Sequence, residues 1–473
     1  MAKKNKNDQI PTPVEYIRNM LDQIGYTQNV VGKKILENSC GRGSILRVIV
    51  ERYLIDAAAQ GLSIEETREG LERDIIGFEI DPVECEICKN QLNVLCAAHG
   101  VFDIQWNIYT EDFLKHTFEK QDIAYVVGNP PYITHHDLSE EERVYLKENF
   151  EVCKKGRFDY CYAFIEASIK ALAPNGVMIY LIPFSIFRNR YAKELRKYIY
   201  EGMTGITDYS GIDVFSGITC SVALLQYEKA KKSEYFWYKN VNEERLVKYS
   251  KDILPKDGEK WIFSDICMRR NRFGDYFDVH NGIATLYNRA FLVQEEEQLE
   301  VEPESCLPAV STKSCKKEEV DTWIIFPYKR ENNEITRYME LELKERYPKT
   351  YAHLLKYKDA LKQRKKDSRA RWFEYGRSQA LNSLWEEKLV LPMVITESAK
   401  TYYAEQDAVP YAGYFVTKKP EVSYSLEFAA ELLESSEFYQ YVKAVGTPTT
   451  RTSYRISVND IKNYRFDWEV VVW

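Results

Sequence analysis

The chain has 473 residues, 45% hydrophobic and 29% charged, with 65 Lys and Arg against 72 Asp and Glu for a net charge of −7. That length exceeds one ordinary core, so two domains are expected, and the composition is that of a soluble globular protein. The acidic balance argues against a surface that coats nucleic acid, although a local basic groove on an acidic body is compatible with it.

The N-terminus, MAKKNKNDQI, is polar and basic with no apolar core after it. The longest apolar run, Gly176–Phe187, is too short to span a bilayer, so no membrane association is expected. Ten scattered cysteines suit a reducing cytoplasm. Cys85 and Cys88 form a Cys-x-x-Cys pair without a second pair or a nearby histidine, so no metal is expected.

In chain order, Lys33–Cys40 reads as a short apolar strand running into a glycine-rich turn, CGRGS, followed by an apolar helix from about Ile45 to Gln60. Ser63–Asp74 reads as a second helix, with a serine capping signal and glutamates in its first turn. Ile75–Pro82 and Phe102–Leu114 are strands that end in acids, and Ala124–His136, AYVVGNPPYITHH, is a strand that stops at two prolines. A helix over Phe158–Leu172 and strands over Gly176–Pro183 and Ser221–Lys229 complete the series. The alternation predicts an α/β fold with a doubly wound parallel sheet whose ligands sit at the strand C-terminal ends. The charged, aromatic stretch Glu228–Asn240 reads as a linker, which predicts a catalytic domain over 1–235 and a mixed α+β second domain over 236–473.

In the first half, Glu37 ends a strand and is followed by Gly41 and Gly43, which let backbone N–H groups approach a ligand closely. Glu79, at the next acidic strand end, is placed to accept both hydroxyls of a ribose. Asp112 and Phe113 supply an acceptor and a ring for an adenine. No phosphate-cradling lysine loop occurs, so an adenosine-containing ligand without a pyrophosphate is expected. S-adenosylmethionine fits, with Glu37 and its neighbours receiving the cationic sulfonium and amino acid.

The proline-stiffened strand end suggests a chemistry. An exocyclic amine such as adenine N6 is a poor nucleophile because its lone pair is delocalised into the ring. Two acceptors at fixed spacing, the Asn129 side-chain carbonyl and the Pro130 main-chain carbonyl locked by Pro131, would pyramidalise that nitrogen by orientation and electrostatics alone. Tyr132 would offer a face on which a planar base stacks. His135 and His136 read as a solvated pair beside the site.

These motifs and their order, Thr12–Leu21, ILENSCGRGS, GFEIDP, EDFL, NPPY and Gly211–Lys229, resemble the γ-class N6-adenine DNA methyltransferases of bacterial restriction–modification systems with a TaqI-like specificity domain. The resemblance covers nearly the whole chain. It implies a Rossmann-like methyltransferase domain that uses S-adenosylmethionine, held by Thr12, Glu37, Ser39, Cys40, Gly41, Gly43, Glu79, Ile80, Asp81, Asp112 and Phe113. Asn129, Pro130, Pro131 and Tyr132 would form the catalytic corner, with Tyr132 and Phe215 holding a flipped adenine. Asn38 stands where that family usually has proline, which would leave the loop less rigid. Double-stranded DNA is the implied partner, with a separate cognate restriction endonuclease, a monomeric state and a bacterial cytoplasmic location.

A base inside a duplex cannot reach a buried methyl donor, so it must be flipped out, and choice of sequence falls to the second half. Lys356–Arg377 carries nine Lys and Arg against three acids, interleaved with Trp372, Phe373 and Tyr375. Lys365, Lys366, Arg369, Arg371 and Arg377 are candidate DNA contacts there, as are Arg451 and Arg455 in Gly446–Ser457. The same corner also serves methyltransferases that modify a protein glutamine or an RNA guanine, and a catalytically silent recognition subunit would share the second half. No Pro-Cys dipeptide is present to serve a cytosine-C5 enzyme.

Overall fold

The computed structural model describes residues 11–215, 221–294, 300–317, 321–331, 334–377, 380–450 and 452–467. The chain divides into two compact units, Met1–Ile262 and Phe263–Trp473.

The first unit is built on a nine-stranded sheet comprising β1 (Ile35–Glu37), β2 (Ile75–Phe78), β3 (Asn107–Tyr109), β4 (Ile123–Gly128), β5 (Leu172–Pro183), β6 (Met203–Asp208), β7 (Val222–Glu228), β8 (Tyr235–Asn240) and β9 (Arg245–Ser250). Their order is β3-β2-β1-β4-β5-β7-β6-β8-β9. The helices are α1 (Val14–Gln23), α2 (Ser44–Ala59), α3 (Ile64–Asp74), α4 (Pro82–Ala97), α5 (Glu140–Asn149), α6 (Tyr160–Ala171) and α7 (Lys193–Ile199). Strands β1 to β5 pair in parallel, as the alternating sequence pattern predicts. The expectation of a wholly parallel sheet needs correction at β7, which runs antiparallel to both β5 and β6. Strand β9 likewise runs antiparallel to β8, so the fold is a Rossmann-like sheet with two reversed strands. Between β1 and β4 the strand order reverses, which makes their C-terminal ends the switch point where ligands bind in such sheets.

Local signals explain the elements around that edge. Helix α3 begins with a capping box in which the Ser63 hydroxyl accepts from Glu66 N–H at 3.2 Å and Glu66 Oε2 accepts from Ser63 N–H at 2.8 Å. Helix α4 has Pro82 in its first turn, and its N-cap Asp81 accepts from Val83 N–H at 2.9 Å. Core residues of α1, α2 and α4, among them Ile17, Leu21, Leu46, Ile49 and Leu92, bury one face of the sheet.

The second half of the stretch read as a linker, Tyr235–Asn240, is sheet. Phe236 and Tyr238 are buried while Tyr235 and Trp237 are exposed, a period-two pattern that makes Tyr235–Asn240 a strand pairing in parallel with β6. The first unit accordingly extends to Ile262, past the expected division at 235/236.

The second unit is mixed α+β. It holds an antiparallel sheet of Phe277–Asn281, Tyr414–Lys418, Lys388–Leu391 and Tyr402–Ala404. A second four-stranded sheet joins Leu292–Gln294, Thr322–Ile325, Cys306–Val310 and Val409–Pro410, with the last pairing parallel. Its core includes Phe291, Ile324, Phe373, Tyr375 and Phe415.

Candidate active site

The pairing Leu36↔Val126 brings the end of β1 beside the end of β4. The glycine loop and the Asn-Pro-Pro-Tyr corner, 90 residues apart in the chain, thereby become neighbours: the Ser39 hydroxyl donates to the Asn129 main-chain oxygen at 3.3 Å.

The loop is tightly formed. Gly41 and Gly43 have φ of +52° and +85°, a region that disfavours side chains. Gly43 caps α2, and a Cβ there would lie 2.6 Å from Cys88 Sγ. Cys88 therefore has a packing role beneath the loop, and Cys85 is buried beside it; among the described residues no cluster could hold a metal ion. The Cys40 N–H donates to the Phe78 carbonyl at 2.9 Å, which ties the loop to β2.

Two carboxylates face this loop. Glu37 is buried and accepts from Leu46 N–H at 3.1 Å. Burial pushes its pKa well above the usual carboxylate range, with Cys88 and Glu79 adding to the rise. Ionising the carboxyl there is costly unless a cation sits beside it, a fit to a sulfonium or ammonium group. Glu79 is gripped from both sides, accepting from Gly41 N–H and Asp81 N–H, each at 2.9 Å. Ile80 follows it and is 61% exposed, an apolar surface at the strand end.

The remaining expected cofactor residues divide. Asp112 accepts from Leu114 N–H at 3.0 Å and caps a short helical turn, while its side chain keeps partial exposure. Phe113 is buried, with ring centroids 5.3 Å from Phe78 and 5.8 Å from Phe164, so it packs beneath the site and presents no open face. Asp81 serves as the α4 cap. Thr12 is buried, and its hydroxyl accepts from Asn129 Nδ2 at 3.3 Å, so it meets the Asn-Pro-Pro-Tyr corner directly.

At the corner, Asn129 Oδ1 is buried and accepts no hydrogen bond, and Pro130 is buried behind it. Tyr132 is half-buried, and its hydroxyl donates to the Leu181 carbonyl of β5 at 2.9 Å, which fixes the ring plane. Phe215 is 4% exposed within the core cluster, a packing position rather than an open platform. The half-buried His135 lies edge-on to Phe158 at 5.2 Å. Burial lowers its pKa, and Arg143, Lys147, His136 and Arg157 add to the lowering.

Asn38 corrects the expectation of a looser loop. It is buried, and its Nδ2 donates to Ser168 Oγ at 2.8 Å and to the Tyr180 hydroxyl. The amide thus tethers β1 to α6 and β5 through partners that sequence reading did not single out. The only sign of them in the sequence was a polar residue in a slot usually filled by proline.

In the second unit the basic segment separates into exposed and packed side chains. Lys365, Arg369 and Arg377 are exposed. Arg371 donates to the Tyr338 carbonyl and lies 3.8 Å from the buried Glu374, so its charge is committed inside the unit. Lys366 donates to the Ala370 carbonyl. Trp372, Phe373 and Tyr375 are core rings, which removes them as stacking surfaces. Arg455 is exposed on the strand Ser453–Arg455, and Arg451 lies outside the described residues.

Residues 73–215 match the Eco57I restriction-modification methylase family. The chain is 24% identical over 380 residues to the type II restriction enzyme and methyltransferase RM.Eco57I of Escherichia coli, covering 68% of this chain and 38% of that protein. It is 24% identical over 379 residues to the type II methyltransferase M.HindII of Haemophilus influenzae, covering 70% of this chain and 72% of the relative. Against M.BstVI of Geobacillus stearothermophilus the identity is 25% over 343 residues, covering 62% of this chain and 61% of the relative. The chain thus spans well under half of RM.Eco57I and about two thirds of the other two. The type IIL restriction-modification enzyme MmeI, solved in complex with DNA, shares the fold with a TM-score of 0.50 at 13% identity, covering 96% of this chain and 66% of that chain. The chain is similar to type II methyltransferases, and the segment that matches the methylase family contains Glu79, Asp112 and Asn129.

Proposed function

We propose that the chain is a site-specific DNA methyltransferase acting on N6 of adenine in double-stranded DNA, the modification enzyme of a bacterial restriction–modification system. One observation carries the reading: a glycine loop with two carboxylates shares a sheet edge with an Asn129 amide oxygen that is buried and unsatisfied. A buried acceptor without a partner is expensive, and a substrate N–H is the kind of group that repays it.

S-adenosylmethionine supplies the electrophilic methyl group. Glu37 and the loop amides suit its methionine end, Glu79 its ribose, and Ile80 with Asp112 its adenine. Asn129 Oδ1 and the Pro130 carbonyl accept the two amine protons of the target, which turns the nitrogen lone pair out of the base plane. After alkylation, N6 sheds one proton to solvent. Tyr132 stacks on the base, which leaves the duplex by flipping. The second unit selects the DNA sequence, with Lys365, Arg369, Arg377 and Arg455 as phosphate contacts. A separate endonuclease as system partner, a monomeric state and a cytoplasmic location complete the proposal.

The test is transfer of a tritiated methyl group to unmethylated genomic DNA, RNA and protein in parallel, followed by digestion of labelled DNA to nucleosides. N6-methyladenine is the expected product. Label confined to RNA or to a protein glutamine would overturn the DNA reading. Asn129→Ala should abolish transfer while S-adenosylmethionine binding by titration calorimetry stays within about threefold, a change of only ~0.6 kcal/mol.

A further inference from the structure

The clasp around Asn129 extends beyond the Asn-Pro-Pro-Tyr corner itself. Its side-chain nitrogen donates to Thr12 Oγ1 at 3.3 Å, and its main-chain oxygen accepts from Ser39 Oγ at 3.3 Å. The two hydroxyls come from different parts of the chain, one preceding α1 and one within the glycine loop. Thr12 has a firm base: Pro13 caps α1, with Tyr16 N–H and Ile17 N–H donating to the Pro13 carbonyl at 3.1 and 3.2 Å. Ile17, Met20 and Leu21 anchor that helix in the core, and Tyr16 packs edge-on against Tyr209 at 5.1 Å. Thr12 itself is 5% exposed.

An asparagine amide can present either its oxygen or its nitrogen to a substrate, and only the oxygen can accept from an amine. With Nδ2 occupied by Thr12, the unsatisfied atom is Oδ1. We propose that Thr12 is a positioning residue for Asn129: its hydroxyl holds the amide nitrogen so that Oδ1 is the atom presented to the substrate amine. This goes beyond a cofactor-contact role for Thr12 and rests on the methyl-transfer reading above. Because Ser39 belongs to the cofactor loop, the clasp also ties the acceptor's backbone to the cofactor side of the edge.

The experiment compares Thr12→Val, which keeps the shape and loses the hydroxyl, with Thr12→Ser, which keeps the hydroxyl. Single-turnover methyl transfer at saturating S-adenosylmethionine and DNA should fall on the order of 10-fold to 100-fold in Thr12→Val, the cost of a misplaced reacting group. Thr12→Ser should recover most of that rate, and the dissociation constant for S-adenosylmethionine should stay within about threefold in both variants. A second readout does not depend on which substrate is methylated. The Asn129 side-chain amide protons, identified by their disappearance from the NMR spectrum of Asn129→Ala, should exchange with solvent faster in Thr12→Val but not in Thr12→Ser. A Thr12→Val enzyme with an unchanged saturated rate and weakened S-adenosylmethionine binding would overturn the proposal and make Thr12 a cofactor contact. Unchanged amide exchange would overturn it as well. If DNA is not methylated at all, the function proposed above fails, and the exchange measurement still decides the role of Thr12.

Discussion

Glu37 concentrates the electrostatics of the site in one side chain. It is buried with one backbone donor, and desolvation holds its pKa above the ordinary glutamate value of 4.5. The cofactor-free folded protein therefore keeps this proton to higher pH than the unfolded chain does. Stability from this group is present at low pH and is lost as pH rises from the unfolded toward the folded pKa, with a limiting slope of ~1.4 kcal/mol per pH unit. Glu37→Gln removes that loss. Urea denaturation across the range from about pH 5 to 8 should give a flatter stability profile and a more stable cofactor-free protein, together with weaker S-adenosylmethionine binding. A profile identical to the wild type would show that Glu37 does not titrate in that range. Asn129 is the companion case, since its polar oxygen is buried and unsatisfied at the same sheet edge.

Among elements, the turn from β1 into α2 shows most plainly how local sequence becomes site geometry. Gly41 and Gly43 both adopt positive φ, but they differ in surroundings: a Cβ on Gly41 meets nothing within 4 Å, whereas one on Gly43 strikes Cys88 Sγ at 2.6 Å. Gly41→Ala should cost ~1 kcal/mol from backbone strain alone, and Gly43→Ala ~3 kcal/mol because overpacking adds to it. Adding Cys88→Ala should recover ~1 kcal/mol or more of the second loss and none of the first, as read from chemical denaturation. The glycines and their role in a turn were legible in the sequence, because φ preference is a local property. The packing of Cys88 against Gly43 was not, because it depends on how α4 lies under the loop. The same division separates Ser63–Asp74, whose capping box is written in adjacent residues, from Tyr235–Asn240, whose period-two pattern was masked by a charged, aromatic composition.

At the scale of the whole molecule, the two units follow different rules of legibility. In the first, the alternation of strands and helices was sufficient to place Glu37, Glu79 and Asn129 at the ends of their strands. In the second, the dense run of basic and aromatic residues over Lys356–Arg377 suggested a single DNA-facing surface, yet its rings are core and Arg371 serves the interior. Replacing Lys365, Arg369 and Arg377 with Ala should lower the slope of log affinity for DNA against log salt by up to ~0.9 for each phosphate no longer neutralised, with folding stability nearly unchanged. Arg371→Ala should do the reverse, costing ~1–3 kcal/mol of stability in thermal unfolding with little change in that slope. A salt slope unmoved by the triple variant would leave Lys365, Arg369 and Arg377 without a role at phosphates. The sequence by itself determined the chemical groups and the order of the strands that carry them, because strand periodicity, turn glycines and proline stiffness act over a few neighbouring residues. Only the tertiary structure decided that Thr12 meets Asn129, that Asn38 ties β1 to Ser168 and Tyr180, and which cations of the basic segment face solvent. Those outcomes depend on segments far apart in the chain competing for the same buried hydrogen bonds and the same core volume.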